Sequence, residues 1–312
     1  MPTNASPALR PDIERVTNHL IALFRETVVP NDLTEGLKTM RGLTDQYGGV
    51  DAPAPVSGVT ITPILVEGIA AEWIVPQTAS TTDRILYLHG GGWVAGGLNS
   101  HRAIAVLLAL KANRSVLLLD YALAPEKPFP AGLRECCQGL KWISDNGPNG
   151  PEVAQKLCVI GDSAGGNLTT AVCLDAIENK ARMPDQAVLI SAVLDTTPGA
   201  TRFPCNDVVC DAPGMVNVMA MYVQDGTPLT YPRISPLYAS DALLRQFPPA
   251  LVQVSSAEFL YPDSLHFAQR LAGLGRRVNL SVWPDMPHVW HAFTTALPEA
   301  EQAIDEIVAF LS

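Results

Sequence analysis

Lys156-Leu157-Cys158-Val159-Ile160-Gly161-Asp162-Ser163-Ala164-Gly165 decides the reading of this chain. A short apolar run of strand type enters a Gly-x-Ser-x-Gly pattern, and Gly166 to Leu174 beyond it suits a helix. A serine at such a strand-to-helix corner sits on a sharp, strained turn with its Oγ pushed into the open. Small neighbours are needed there, because a Cβ at 161 or 165 would meet adjacent backbone. The helix that follows aims its N-terminal N–H groups toward the reacting centre. A glycine-rich turn that merely contains a serine would not need these flanks, and Ser163 is the expected nucleophile.

Composition narrows what surrounds it. The 312 residues are 47% hydrophobic and 17% charged, the profile of a globular chain with a large core. A formal net charge of −10 argues against a nucleic-acid partner and against a polybasic membrane contact. The six cysteines (Cys136, Cys137, Cys158, Cys173, Cys205, Cys210) lie largely in apolar segments and read as reduced. Cys205 and Cys210 have no second pair at metal-like spacing, so no zinc site is expected. No basic-then-apolar leader opens the sequence, no apolar run has membrane-spanning length, and the expected location is cytoplasmic. Sequons at Asn4, Asn113, Asn167 and Asn279 read as chance matches, since a glycan on Asn167 would block the serine.

Outward from the serine, the chain has a clear rhythm. Ile13, Val16, Leu20, Ile21 and Phe24 fall at helical spacing, Pro30-Asn31 ends that segment, and a second runs from about Leu33 to Leu43. Two β-rich runs around Glu67-Gly68 predict a hairpin. Strand runs at Arg84–Leu88, Ser115–Asp120, Leu157–Ile160, Ala187–Ser191, Ala250–Val254 and Val278–Val282 then alternate with helices near 100–112, 131–145, 167–180, 262–274 and 299–311. This alternation predicts an α/β fold with a mainly parallel sheet covered on both faces. Residues 196–238, rich in Pro, Gly and Met, interrupt it. The expected organisation is N-terminal cap helices over 1–50, a core of 51–195 and 239–312, and a cap insertion over 196–238.

The rest of the machinery falls where such a core would hold it. Strand Arg84–Leu88 empties into His89-Gly90-Gly91-Gly92-Trp93, whose glycines free backbone N–H groups to face a cavity. Gly90 and Gly91, with Ala164 after the serine, are the expected oxyanion-hole donors, worth about 3–4 kcal/mol each. His288, in the loop after the last strand, is the expected base, with His291 as the alternative. His19 and His101 read as surface or capping residues, and His89 as a residue that orients the glycine loop. For the acid, Glu258 comes directly off the strand at 250–255 and is favoured, while Asp263 competes and reads as a helix N-terminal carboxylate. Trp93, Met215, Met219 and Tyr222 are candidates for an apolar substrate pocket.

His-Gly-Gly-Gly-Trp at 89–93, Gly-Asp-Ser-Ala-Gly-Gly-Asn at 161–167 and the Tyr121-Ala122-Leu123-Ala124-Pro125-Glu126 turn resemble the hormone-sensitive-lipase-like esterases of bacterial family IV, within the α/β-hydrolase superfamily. The Met-Pro-His-Val-Trp-His ending is similar to the branch that contains monoterpene lactone hydrolases and short-chain esterases. The resemblance implies a Ser–acid–His triad, a helical cap, an eight-stranded α/β-hydrolase fold and no cofactor; the residues themselves offer no metal site, since beside the His288 and His291 pair no third ligand is evident. It also implies that Asp162, Asn167 and the Tyr121–Glu126 turn support the site without reacting. Many relatives have Asp-Pro-Leu where this chain has Glu258-Phe259-Leu260, so the acid is Glu here, and Ala122 stands where an Arg is common.

The resulting expectation is a serine carboxylesterase for short-to-medium-chain esters, acting through an acyl-enzyme on a small-molecule substrate. A lactone hydrolase, an amidase or a thioesterase on the same residues is the nearest rival. A ligand receptor that kept the fold without the chemistry is disfavoured by the presence of His288. The strand at 278–282 would be an unpaired edge, which allows a homodimer.

Overall fold

In strand β3 (Ser80–Leu88) successive side chains point to opposite faces, and from Arg84 onward both faces are covered. Leu86 and Leu88 pack with Leu133, Cys136, Leu168 and Val172 on one side; Ile85 and Tyr87 pack with Ile104, Leu108, Ile304 and Ile307 on the other. A strand sandwiched in this way has no polar face, which is why such strands read as unbroken apolar runs. The computed structural model describes residues 9–51 and 57–312. The sequon at Asn4, residues 1–8 of the expected N-terminal cap and residues 52–56 of the expected core lie outside them.

The other strands of the sheet are β1 (Val59–Val66), β2 (Ile69–Pro76), β4 (Arg114–Leu119), β5 (Lys156–Asp162), β6 (Gln186–Ile190), β7 (Ala250–Ser255) and β8 (Val278–Trp283). The eight strands lie in the order β1-β2-β4-β3-β5-β6-β7-β8. The β1–β2 and β2–β4 pairs are antiparallel, and every later pair is parallel. Glu67 and Gly68 take φ of 50° and 93°, the twist that a two-residue hairpin loop requires. A separate two-stranded ladder of Asn146–Gly147 with Gly150–Pro151 was not foreseen.

Helices α3 (Leu98–Ala112) and α9 (Pro298–Leu311) cover one face; α4 (Ala131–Asp145), α5 (Ala164–Glu178) and α8 (Tyr261–Gly273) cover the other. Helix α5 begins directly after Ser163 and not near 167, with Gly165 and Gly166 in its first turn. A Cβ on Gly165 would sit 2.0 Å from the Leu88 carbonyl oxygen, and one on Gly166 would sit 2.6 Å from the Ala192 Cβ. These glycines let the helix close onto the sheet, so they do not break it.

Three further helices stand over the strand ends. Helix α1 (Pro11–Ile21) runs into a π turn (Ala22–Glu26) and seats Ile13, Val16 and Leu20 against Met286, Trp290 and Phe293. Helix α2 (Leu33–Asp45) is capped by Asp32, whose side chain accepts the Glu35 N–H at 3.0 Å. The interruption at 196–238 contains helix α6 (Ala212–Tyr222), capped by Asp211 through the Gly214 N–H at 2.7 Å. Arg25 ties the two parts together, donating to the Val208 carbonyl at 2.9 Å and to Asp211 at 2.7 Å. A four-residue helix α7 (Asp241–Leu244) leads back to β7. No helix among the described residues is long and apolar enough to cross a membrane.

Candidate active site

Strand β5 ends in Asp162, helix α5 starts at Ala164, and Ser163 is the single residue between them. Its φ of 53° and ψ of −118° put a non-glycine residue in a region that costs on the order of 1–3 kcal/mol. Hydrogen bonds hold it there: its N–H donates to the Ile190 carbonyl at 2.8 Å, and its carbonyl accepts from Asn167 at 3.1 Å and Val193 at 3.2 Å. A Cβ on Gly161 would lie 2.3 Å from the Gly165 carbonyl oxygen, so both pattern glycines are sterically required.

Three loops at the C-terminal ends of parallel strands bring the sequence candidates together. His288 Nε2 lies 3.0 Å from Ser163 Oγ, and His288 Nδ1 lies 2.6 Å from Glu258 Oε2. The other Glu258 oxygen accepts from the Ser255 N–H and from Ser191 Oγ, each at 2.8 Å. Ser191 in turn accepts the Val289 N–H at 3.3 Å, so it links Glu258 to the histidine loop, and no local motif marks it. Burial pushes the Glu258 carboxyl up, against the pull of His288. Burial works against a charged His288, but Cys210 and Glu258 work for it and prevail, leaving the imidazole well above the ordinary histidine value.

Asp263 is elsewhere. Its Oδ2 accepts the N–H groups of Leu194 and Asp195, each at 2.9 Å, and its other oxygen pairs with Arg202. Burial pushes this carboxyl up to about 6. It anchors the start of the 196–238 segment and does not cap its own helix. His291 is buried on Gln253 at 2.9 Å, and burial lowers it to about 3.

The architecture and this array can be set beside known proteins. Residues 85–292 match the family described as alpha/beta hydrolase fold. The chain belongs to the α/β-hydrolase fold family. An esterase of Acinetobacter venetianus is 30% identical over 93% of each chain. A carboxylesterase, NlhH, of Mycobacterium tuberculosis is 28% identical over 97% of this chain and 96% of its own. A crystal structure of an esterase from the bacterial hormone-sensitive lipase family superposes with a TM-score of 0.86, at 32% identity, over 97% of this chain and 98% of its own. This hydrolase therefore stands with the hormone-sensitive-lipase-like esterases.

One expected donor of the hydrolase is engaged elsewhere. The Gly90 N–H donates to Asp162 Oδ1 at 3.2 Å, and a Cβ on Gly90 would fall 2.2 Å from Asp162 Oδ2. Gly90 is thus spent on holding the loop and is not an open donor. The N–H groups of Gly91, Gly92 and Ala164 have no partner among the described residues. Gly91 and Gly92 hold φ of 111° and 61°, the left-handed backbone that turns these amides aside from the strand direction.

Asp162 is the centre of the support. Tyr87 donates to it at 2.8 Å, and His101 Nε2 lies 3.2 Å from its other oxygen. His101 is therefore a buried partner of Asp162 and not a surface or capping residue. Burial would raise the Asp162 carboxyl, but His101 and Tyr87 outweigh it and hold it below the ordinary value. His89 stacks on Tyr121 at 4.2 Å and donates to the Gly90 carbonyl at 2.8 Å, the orienting role expected of it. His19 lies 3.2 Å from the carbonyls of Gln46 and Tyr47, past the end of α2. Asn167 is buried, donating to Val193 and Ile234 carbonyls at 2.9 Å. Arg41 of α2 reaches the glycine loop through the Val94 carbonyl at 2.9 Å and grips Glu126 with two bonds of 2.8 Å.

The pocket candidates divide. Met215 and Met219 line a cavity of about 470 Å³ between α6 and the 196–202 segment, with Arg202, Leu229 and Phe259. Trp93 and Tyr222 do not line it. Their rings stack at 4.6 Å and 12°, almost wholly buried, and join the glycine loop to α6.

Proposed function

We propose that this carboxylic-ester hydrolase is a serine esterase for short-to-medium-chain esters, with Ser163 as nucleophile, His288 as base and Glu258 as the acid behind it. The continuous Ser163–His288–Glu258 contact, 3.0 Å and then 2.6 Å, carries the reading. His288 Nε2 takes the Ser163 proton as Oγ attacks the ester carbonyl. The oxyanion rests on the Gly91, Gly92 and Ala164 N–H groups. His288 then protonates the departing alcohol, and water, activated by the same nitrogen, hydrolyses the acyl-enzyme. Glu258 keeps Nδ1 protonated, so that Nε2 faces Ser163 with a lone pair.

Residues 1–50 and 196–238 act as the cap in this reading. The Arg25 clasp supports treating the helices from the two segments as one lid. The cavity of about 470 Å³ lined by Met215, Met219 and Phe259 has room for a short or medium chain; Phe259 brings its wall beside Glu258, while Ser163 and His288 are not among its lining residues. Six unpaired cysteines accord with a cytoplasmic enzyme. The edge strand β8, where Val282 is 40% exposed, supports a homodimer.

The test is hydrolysis of p-nitrophenyl esters from acetate to palmitate by the wild type and Ser163→Ala. Turnover that peaks at short to medium chains and vanishes with Ser163→Ala is the expected result. A folded wild type inert toward the whole series would overturn the ester assignment and turn attention to lactones.

A further inference from the structure

Two residues of the 196–238 segment meet the histidine loop. An Asp207 carboxylate oxygen, Cys210 Sγ and a His288 ring nitrogen all lie within 4.8 Å of one another, the one such set of three found among the described residues. Spacing had tested Cys210 only against Cys205; the fold joins it to side chains remote in sequence. Each group is held from behind. Asp207 Oδ1 accepts the N–H groups of Val209 at 2.9 Å and Cys210 at 3.0 Å, so carboxylate and thiol ride on one tight turn. Asp207 Oδ2 accepts the Phe259 N–H at 3.0 Å, which ties that turn to the residue next to Glu258. His288 has Glu258 2.6 Å behind Nδ1, so Nε2 is the nitrogen with a lone pair to offer. A carboxylate behind an imidazole is also the usual support of a metal-bound histidine.

We propose that Asp207, Cys210 and His288 Nε2 form an inhibitory site for a borderline-soft divalent cation, zinc above all. One nitrogen, one sulfur and one carboxylate oxygen are donors that zinc takes at about 2.0–2.3 Å, which sets them about 3.3–3.8 Å apart in a tetrahedron. The three donor atoms already lie within 4.8 Å of one another, so a contraction of at most about 1.5 Å closes the set around the ion. The Cys210 proton leaves to solvent as the sulfur–metal bond forms, and water or Ser163 Oγ, 3.0 Å from Nε2, completes the shell. The lone pair that would accept the Ser163 proton is then a metal bond, and turnover stops until the ion is removed. Only this inhibitory consequence rests on the function proposed above; the binding does not.

The experiment is calorimetric titration of metal-free protein with zinc chloride for the wild type, Ser163→Ala, Cys210→Ser and Cys210→Ala. Cobalt(II) spectra, which report a sulfur ligand by charge transfer, and p-nitrophenyl butyrate hydrolysis are read on the same samples. The expected result is one bound zinc in the wild type and in Ser163→Ala, weakened at least about tenfold in both Cys210 variants. The cobalt–sulfur band should disappear with Cys210, and wild-type hydrolysis should fall as zinc fills the site and return with EDTA. Cys210→Ser, nearly isosteric, guards against loss of fold. Equal zinc affinity in wild type and Cys210→Ser, or no binding in the wild type, overturns the site. Binding lost with Cys210 but without effect on wild-type hydrolysis overturns the inhibition alone, and the calorimetry stands if the chain hydrolyses no ester.

Discussion

The Tyr47 hydroxyl donates to the backbone carbonyl of His288. The tyrosine lies just past α2, between Phe24 at 5.9 Å and Phe293 at 5.3 Å, so the N-terminal segment grips the loop of the proposed base. Burial keeps its phenol well above the ordinary value, and it stays a donor at any working pH. Tyr47→Phe keeps the ring packing and removes only this bond, which is worth about 1 kcal/mol to the fold. The expected outcome is a kcat on p-nitrophenyl butyrate lowered about fivefold to tenfold, with a small drop in melting temperature. An unchanged kcat would reduce Tyr47 to a packing residue.

Glu258 and Asp263 are both buried carboxylates near the start of α8, and only Glu258 touches His288. Glu258→Gln keeps the volume but spoils the acceptor behind Nδ1, and kcat should fall by about three to four orders of magnitude. Asp263→Asn strands the Arg202 guanidinium, so its cost should appear in stability, about 3–5 kcal/mol in a denaturant titration, with kcat largely kept. The reverse pattern would transfer the acid role to Asp263.

As the proposed base, His288 must be neutral to accept a proton, and its value is raised in the folded protein. Activity is therefore present above that value and lost as pH falls through it. The acid limb of kcat/KM should lie above pH 6.5, the ordinary histidine value, and move down in Glu258→Gln, where one of the groups favouring the imidazolium has gone. A limb at or below pH 6.5 in the wild type would contradict the raised imidazole.

The sheet was legible because strands such as β5 carry a central run, Leu157 to Ile160, that is buried on both faces and must be apolar. Helix α6 was not. Apart from Asn217 its residues are apolar or small, so no period marks it, and its start signal, Asp211 with Pro213 in the first turn, is lost among the prolines and glycines of the segment. The pairing of Ser163 with His288, 3.0 Å apart, was readable because local motifs mark both residues. The choice of glycine was not, since it depends on where Asp162 sends its carboxylate, and Gly90 takes the bond that an open donor would have to forgo. His101 and Ser191 carry no local pattern, and their roles exist only once β3, β5 and β6 are aligned. Trp93 and Tyr222 look like pocket aromatics until the fold stacks each upon the other.

Gly90 and Gly165 leave no room between the serine corner and the loop that faces it: a methyl on the first would meet Asp162 at 2.2 Å, and on the second Leu88 at 2.0 Å. Neither side can shift while the other stays. A substitution that reshapes the immediate surroundings of Ser163 is therefore blocked at these two glycines, whereas Met215 of α6, half-buried on the wall of the 470 Å³ cavity, keeps the freedom of an unbranched side chain. Under the function proposed above, a change of substrate would fall on that cavity wall, with the serine corner handed on unchanged.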